Sequence, residues 1–198
     1  MNRLMLSLGG LMSVAFAGVA SAELVTIEWD ITGESYDSAI SLYGPLQDDA
    51  WADALLVAWG FNDVEADVYW NDGASFSNFA NEVRLGIFDI DIGDSDGDAY
   101  FWAAAPFPDQ YGADEPGSFY HAVGGEFDSG DVSGLGYTLG SEGDISAMAY
   151  STWMDGTGLS AGTFTSGTVW VTFDTVPAPG GLAVLVMAGL IGQKRRRH

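Results

Sequence analysis

The chain has 198 residues, with 28 Asp and Glu against 6 Lys and Arg, a net charge of −22, and no cysteine. That length suits one domain of ordinary size, and the absence of cysteine excludes disulfides, thiolate metal sites and thiol nucleophiles. Hydrophobic residues at 47% and aromatic residues at 13% exclude a disordered acidic tail and call for a packed core.

Taken in chain order, Met1-Asn2-Arg3 is a short positive start and Leu4 to Gly18 an uncharged apolar run. Ala20-Ser21-Ala22 follows as a small-x-small site directly before Glu23. This is the order of a secretory signal peptide over residues 1–22, cut after Ala22. The apolar run falls short of the ~20 residues of a spanning helix, which argues against a permanent N-terminal anchor.

Residues 23–176 hold all 28 acidic residues and only Arg84 among the basic ones, a charge of −27. Such a surface repels phosphate backbones, so nucleic acid is excluded as a partner, and it attracts cations. The same charge also serves solubility.

Period-two alternation dominates this segment. Val25, Ile27, Trp29 and Ile31 alternate with Thr26, Glu28 and Asp30, and Val64, Ala66, Val68 and Trp70 alternate with Glu65, Asp67 and Tyr69. Both patterns predict half-buried strands. Trp51 to Phe61 suits either a strand or a short helix. Val83 to Ile87 continues as strand, after which the phase switches so that Phe88, Ile90 and Ile92 oppose Asp89 and Asp91; a β-bulge near Gly86 would produce that switch. Ala99 to Ala103, Phe119 to Val123, Ile145 to Trp153 and Thr168 to Thr175 complete the strand candidates. Between them lie Gly- and Asp-rich turns, among them Asn71-Asp72-Gly73, Asp114 to Gly117, Asp128 to Asp131 and Ser141 to Asp144. Many short strands with frequent turns predict an all-β, antiparallel β-sandwich of jelly-roll-like type.

Asp94-Ser95-Asp96-Gly97-Asp98 is the sharpest local motif. Calcium takes six to eight hard oxygens, and carboxylates at alternate positions of a tight loop converge on one ion. Ala99 and Ala105 depart from an EF-hand loop, so Asp91 or Asp89 would have to supply missing oxygens. The plainer alternative is an exposed acidic hairpin turn.

Trp51, Trp59, Trp70, Trp102, Trp153 and Trp170 sit in apolar runs, as core residues do. Tyr43, Phe107, Tyr111, Phe119 and Tyr120 lie near Gly, Pro and Asp and form the candidate sugar-stacking surface. His121 is the only histidine of the exported segment, so a Ser-His-Asp triad would have to use it, with Ser118 nearby in sequence. No nucleophile-elbow or phosphate-cradling motif is present.

The chain closes with Pro177-Ala178-Pro179, an apolar stretch from Gly181 to Gly192 and Lys194-Arg195-Arg196-Arg197. The basic cluster stays cytoplasmic by the positive-inside rule, which leaves 23–176 outside. This tripartite end, residues 177–198, resembles the PEP-CTERM sorting signal of Gram-negative bacteria. Ala178 stands where that family usually has Glu. The resemblance implies recognition by an exosortase-type processing enzyme, a short helix held transiently in the inner membrane, and delivery to the cell surface or an extracellular polysaccharide matrix. The alternative is a plain membrane anchor, for which the apolar stretch is short. Phe79 to Arg84 and Thr165 to Val171 also loosely resemble stretches of other PEP-CTERM ectodomains. The expectation is therefore an exported structural or adhesive protein, not an enzyme, stabilised by Ca2+. Behind it stand a carbohydrate-binding module and, third, a secreted hydrolase using a carboxylate pair.

Overall fold

A computed structural model describes residues 23–75, 77–91, 100–152 and 159–175. The signal segment with Ala20 and Ala22, the loop bearing Asp94, Asp96 and Asp98, Trp153, and the sorting segment with Pro177, Ala178, Pro179 and Lys194 to Arg197 all lie outside the described residues.

The strands are β1 (Glu23–Asp30), β2 (Ser35–Tyr36), β3 (Ser41–Gln47), β4 (Leu55–Tyr69), β5 (Val83–Asp91) and β6 (Tyr100–Ala104). They continue with β7 (Phe119–Val123), β8 (Phe127–Asp128), β9 (Thr138–Leu139), β10 (Asp144–Ser151) and β11 (Gly162–Thr175). Three 3-10 turns, Asp49–Trp51, Ala80–Glu82 and Ser133–Leu135, are the helical elements among the described residues. The all-β antiparallel expectation holds: the main ladder runs β1-β11-β4-β9-β5-β10-β3 and curls into a nearly closed, barrel-like sandwich.

Two layers share the core. The first is built on β4 and β11, which pair along most of their length, with β1 and β2 on the far edge of β11 and β7, β8 and β9 in succession along the far edge of β4. The second is β6-β5-β10-β3. β9 joins them, pairing Leu55 to Thr138 and Ile90 to Leu139. The β1 alternation is as expected, with Trp29 buried and Thr26 and Glu28 exposed. So is that of Val64, Ala66 and Val68, all fully buried. The Trp51 to Phe61 ambiguity resolves into a 3-10 turn capped by Asp48, whose carboxylate accepts from the Ala50 amide, followed by strand from Leu55.

Buried positions in β4 fall at Leu56, then Trp59 and Phe61, then Val64, Ala66 and Val68. A strand that alternates strictly would hold one parity, so β4 skips a residue twice, and the second skip sits at Asp63, whose φ is +52°. β11 skips opposite it, from Phe164 to Val169, with Gly167 at φ +146° packed 3.3 Å from Val64 Cα when a Cβ is built on it. Ser166 Oγ donates to the Asp63 carbonyl at 2.8 Å, satisfying the group that the double bulge leaves over.

β5 corrects the sequence reading. Val83, Leu85 and Ile87 are buried on the core side and the next core residue is Ile90, so the bulge lies at Asp89 (φ +81°) and not near Gly86. Phe88 consequently points outward, and Gly86 is fixed for a different reason: a Cβ there would collide with the backbone at Trp102 and Ala103 of β6.

The ends of the ladder, β1 and β3, meet through side chains. Trp29 Nε1 donates to the Gly44 carbonyl at 2.8 Å, and Tyr43 Oη donates to the Ser35 carbonyl at 3.0 Å. Gly44, at φ +53°, makes room for the indole, since a Cβ would sit 2.8 Å from Trp29 Cδ1.

Candidate functional site

Three surface arrangements follow from this fold. The first gathers carboxylates at the end of the second layer. Asp89 stands on the β5 bulge, Asp144 opens β10, and Glu142 lies in the turn between β9 and β10. Gly140 lies beside both carboxyls, a Cβ built on it standing 3.4 Å from Asp89 Oδ1 and from Asp144 Oδ1, an ordinary contact distance. Partial burial, then hydrogen bonding with Asp144, then the charges of Asp144 and Glu142 push the Asp89 carboxyl up to about 6. Asp91, the predicted partner of the calcium motif, is half-buried two residues along and pairs in register with Thr138. Among the described residues no group of three or more His, Asp or Glu is arranged to hold a metal ion.

The second arrangement centres on His121, on the outer face of the first layer. The register sets Thr163, Asp67 and His121 side by side, because residues directly opposite in antiparallel strands share a face. His121 Nδ1 lies 2.9 Å from Asp67 Oδ1 and Nε2 lies 3.6 Å from Glu65 Oε2. Both ring nitrogens are thus turned to carboxylates. Ser118 Oγ instead donates to the Glu115 carbonyl at 2.6 Å. The residues of the conceivable triad are therefore oriented by other partners. Thr163 Oγ1 meets Ser35 Oγ at 2.9 Å and receives the Tyr69 hydroxyl at 2.8 Å, extending the polar row.

The third concerns aromatic rings, and here the structure redraws the candidate stacking surface. Tyr43 and Phe107 are buried in the core and cannot stack on a ligand, whereas Tyr111 is 72% and Phe119 58% exposed and Tyr120 is half-buried. Phe119 borders a cleft of about 250 Å³ with Tyr69, Trp70, Asn71, Asp72 and Ser118. Gly117 (φ +77°) shapes its floor, since a Cβ there would be 2.8 Å from Asp72 Oδ1. A second cleft, of about 320 Å³, is lined by Ile90, Tyr100, Phe101, Trp102, Leu135 and Tyr137. Of the tryptophans expected in the core, Trp59 is fully buried, while Trp51, Trp70, Trp102 and Trp170 are half-buried.

Sequence reasoning missed the approach of Asp89 to Asp144 and of Asp67 to His121, because the first pair is brought together by the β5 bulge and the second by strand register, each across more than fifty residues. It also missed the outer face of the second layer. There Leu42, Met148, Gly86 and Ala103 form one row and Ser146, Phe88 and Phe101 the next. Leu42 is 47% and Phe101 44% exposed, and Ile40, just before β3, is 40% exposed. Tyr150 and Phe101 meet edge to face at 5.6 Å. β5 and β10 set Arg84 and Ser146 among apolar neighbours on that face, and Met148 and Ser146 are buried there. No helix among the described residues is long and apolar enough to cross a membrane. No protein-family model matches the chain, and no curated protein matches it either.

Proposed function

We propose that this is an exported protein of the cell surface or extracellular matrix, with a structural or adhesive rather than catalytic role. The observation that carries the proposal is the set of exposed apolar side chains at the two edges of the β3–β10–β5–β6 layer, Ile40 and Leu42 on one and Phe101 on the other, on a segment of charge −27. Exposed apolar side chains mark association sites, and they supply attraction where charge supplies repulsion. The terminal segments, read as a signal peptide and a PEP-CTERM-like signal met by an exosortase-type enzyme, supply the address. Calcium remains part of the proposal as a stabiliser, at the Asp94, Asp96 and Asp98 motif with Asp91, since a cation bound to the folded state adds to its stability. Sedimentation of the wild-type chain and of Leu42→Asp/Phe101→Asp, with calcium, with magnesium and at matched ionic strength, tests it. Association that the double substitution abolishes supports the proposal; a wild-type chain that stays monomeric in every condition overturns it.

A carbohydrate-binding role is the second reading. It is favoured by the cleft beside Phe119, where an exposed ring stands with Asn71, Asp72 and Ser118, a platform with hydrogen-bonding groups at its rim. Loss of saturable oligosaccharide binding on Phe119→Ala is its test.

A further inference from the structure

We propose that the cleft between β6 and the Ser133–Leu135 turn binds an organic cation, an ammonium or guanidinium group carried by a small molecule or by a partner's side chain. Its walls are aromatic. Tyr100 and Trp102 project from the core side of β6, Tyr100 opposite Ile90, and the Tyr137 ring stands at 69° to Trp102 with centroids 5.6 Å apart. The Trp102 and Tyr137 rings meet edge to face, the half-buried Tyr100 ring lines the same cleft, and a cation resting on an aromatic face is held by the negative charge of that face. The volume, about 320 Å³, is that of a small-ligand site.

The charge of the molecule selects the ligand. Arg84 is the one basic residue of 23–176, and its Nη1 is committed to the Asn81 and Val83 carbonyls. An anion therefore finds no counter-charge. Ile90 on the cleft wall is flanked in β5 by Asp89 and Asp91, so the local field favours positive charge. A neutral sugar needs polar groups around its ring, and Ile90, Phe101 and Leu135 offer none with their side chains. The cleft beside Phe119 has an amide, a carboxylate and a hydroxyl at its rim, whereas here the polar side-chain groups are those of the Tyr100, Trp102 and Tyr137 rings.

The test is titration of the full chain with choline chloride, with N-acetylarginine amide and with glucose, followed by tryptophan fluorescence and calorimetry, against sodium chloride at the same ionic strength. We expect saturable binding of choline, of the arginine derivative or of both; choline alone identifies a small alkylated ammonium and the arginine derivative alone a partner side chain. Leu135→Arg, at a position 55% exposed, places a guanidinium at the mouth and is expected to weaken binding about tenfold or more by occupying the cleft. Leu135→Trp adds a wall and is expected to tighten it. Responses no larger than those to sodium chloride, binding of glucose alone, or cation binding unchanged in both variants would overturn the proposal.

Discussion

On the outer side of the β4–β11 layer, Ser35, Thr163, Asp67 and His121 lie in one row facing water, and Thr26 and Thr172 join hydroxyls at 2.9 Å toward the other end of β11. The matching row on the β5–β10 layer is Leu42, Met148, Gly86 and Ala103. The first layer thus sets a polar row beside exposed Leu24, Phe119 and Val123, whereas the second has its exposed apolar residues, Leu42 and Phe101, at its edges and Met148 and Ser146 buried between them. The difference teaches that the acidic residues are not spread evenly: the second layer keeps them at its ends, where Asp89, Asp91 and Asp144 gather, and has none in these outer rows.

Substitutions would break or sharpen this contrast, beginning with the core that both layers share. Trp59 is fully buried, packed against Phe127 at 4.8 Å and Trp102 at 6.0 Å, so Trp59→Ala is expected to cost about 3–5 kcal/mol in a denaturant titration. Its Nε1 has no hydrogen-bond partner, so Trp59→Phe is expected to lose well under that, the missing N–H costing nothing. On the second layer, Gly86→Val is expected to lose roughly 1–3 kcal/mol by forcing β5 from β6, seen as a lowered melting temperature.

The carboxyl cluster makes the contrast pH-dependent. With its folded-state value near 6 against an ordinary 3.8, Asp89 binds protons more tightly folded than unfolded. Its contribution is present in full at low pH and lost as pH climbs from about 4 through about 6, after which it stays flat. Because the carboxyl is only partly buried, solvent screening holds the loss to about 1–2 kcal/mol. Asp89→Asn should flatten that limb of the stability–pH profile while leaving other limbs in place. Smallest of all, His121→Ala removes contacts between exposed groups on the first layer and is expected to change stability by about 0–1 kcal/mol, less in high salt.

Much of this architecture is visible in the residues themselves. β1 and the Val64 to Val68 part of β4 announce themselves by alternation, because one face of each meets the core. β3 does not: Gly44-Pro45 in its middle reads as a turn, yet the ladder with β10 runs past it with a shift in register. β2, β8 and β9 are two residues long, too short for any period to show. The β5 bulge was foreseen but three residues early, since glycine draws the eye to Gly86 while the backbone places positive φ on Asp89. Turns at Asn71 to Gly73, Asp114 to Gly117 and Ser141 to Glu142 follow from their composition. The candidate sites were the least legible part, because a cleft or a carboxyl pair is made by register between distant strands, and composition is silent on register.

The pairing of Glu23 with Thr175 has a mechanical consequence. Antiparallel neighbours bring the start of β1 and the end of β11 to the same point, and their ladder bonds lie across the strands. A tension applied between these two residues would load those bonds one at a time and peel β1 from β11 like a zipper, with Trp29 and its bond to Gly44 as the first cross-tie reached near the far end. A tension applied through Thr175 and the outer face of β10 would instead pass through the long β4–β11 ladder, whose bonds would share it. Such a protein, tethered by its C-terminal side and gripped by the exposed apolar side chains of its second layer, would bear a pull along its strong axis.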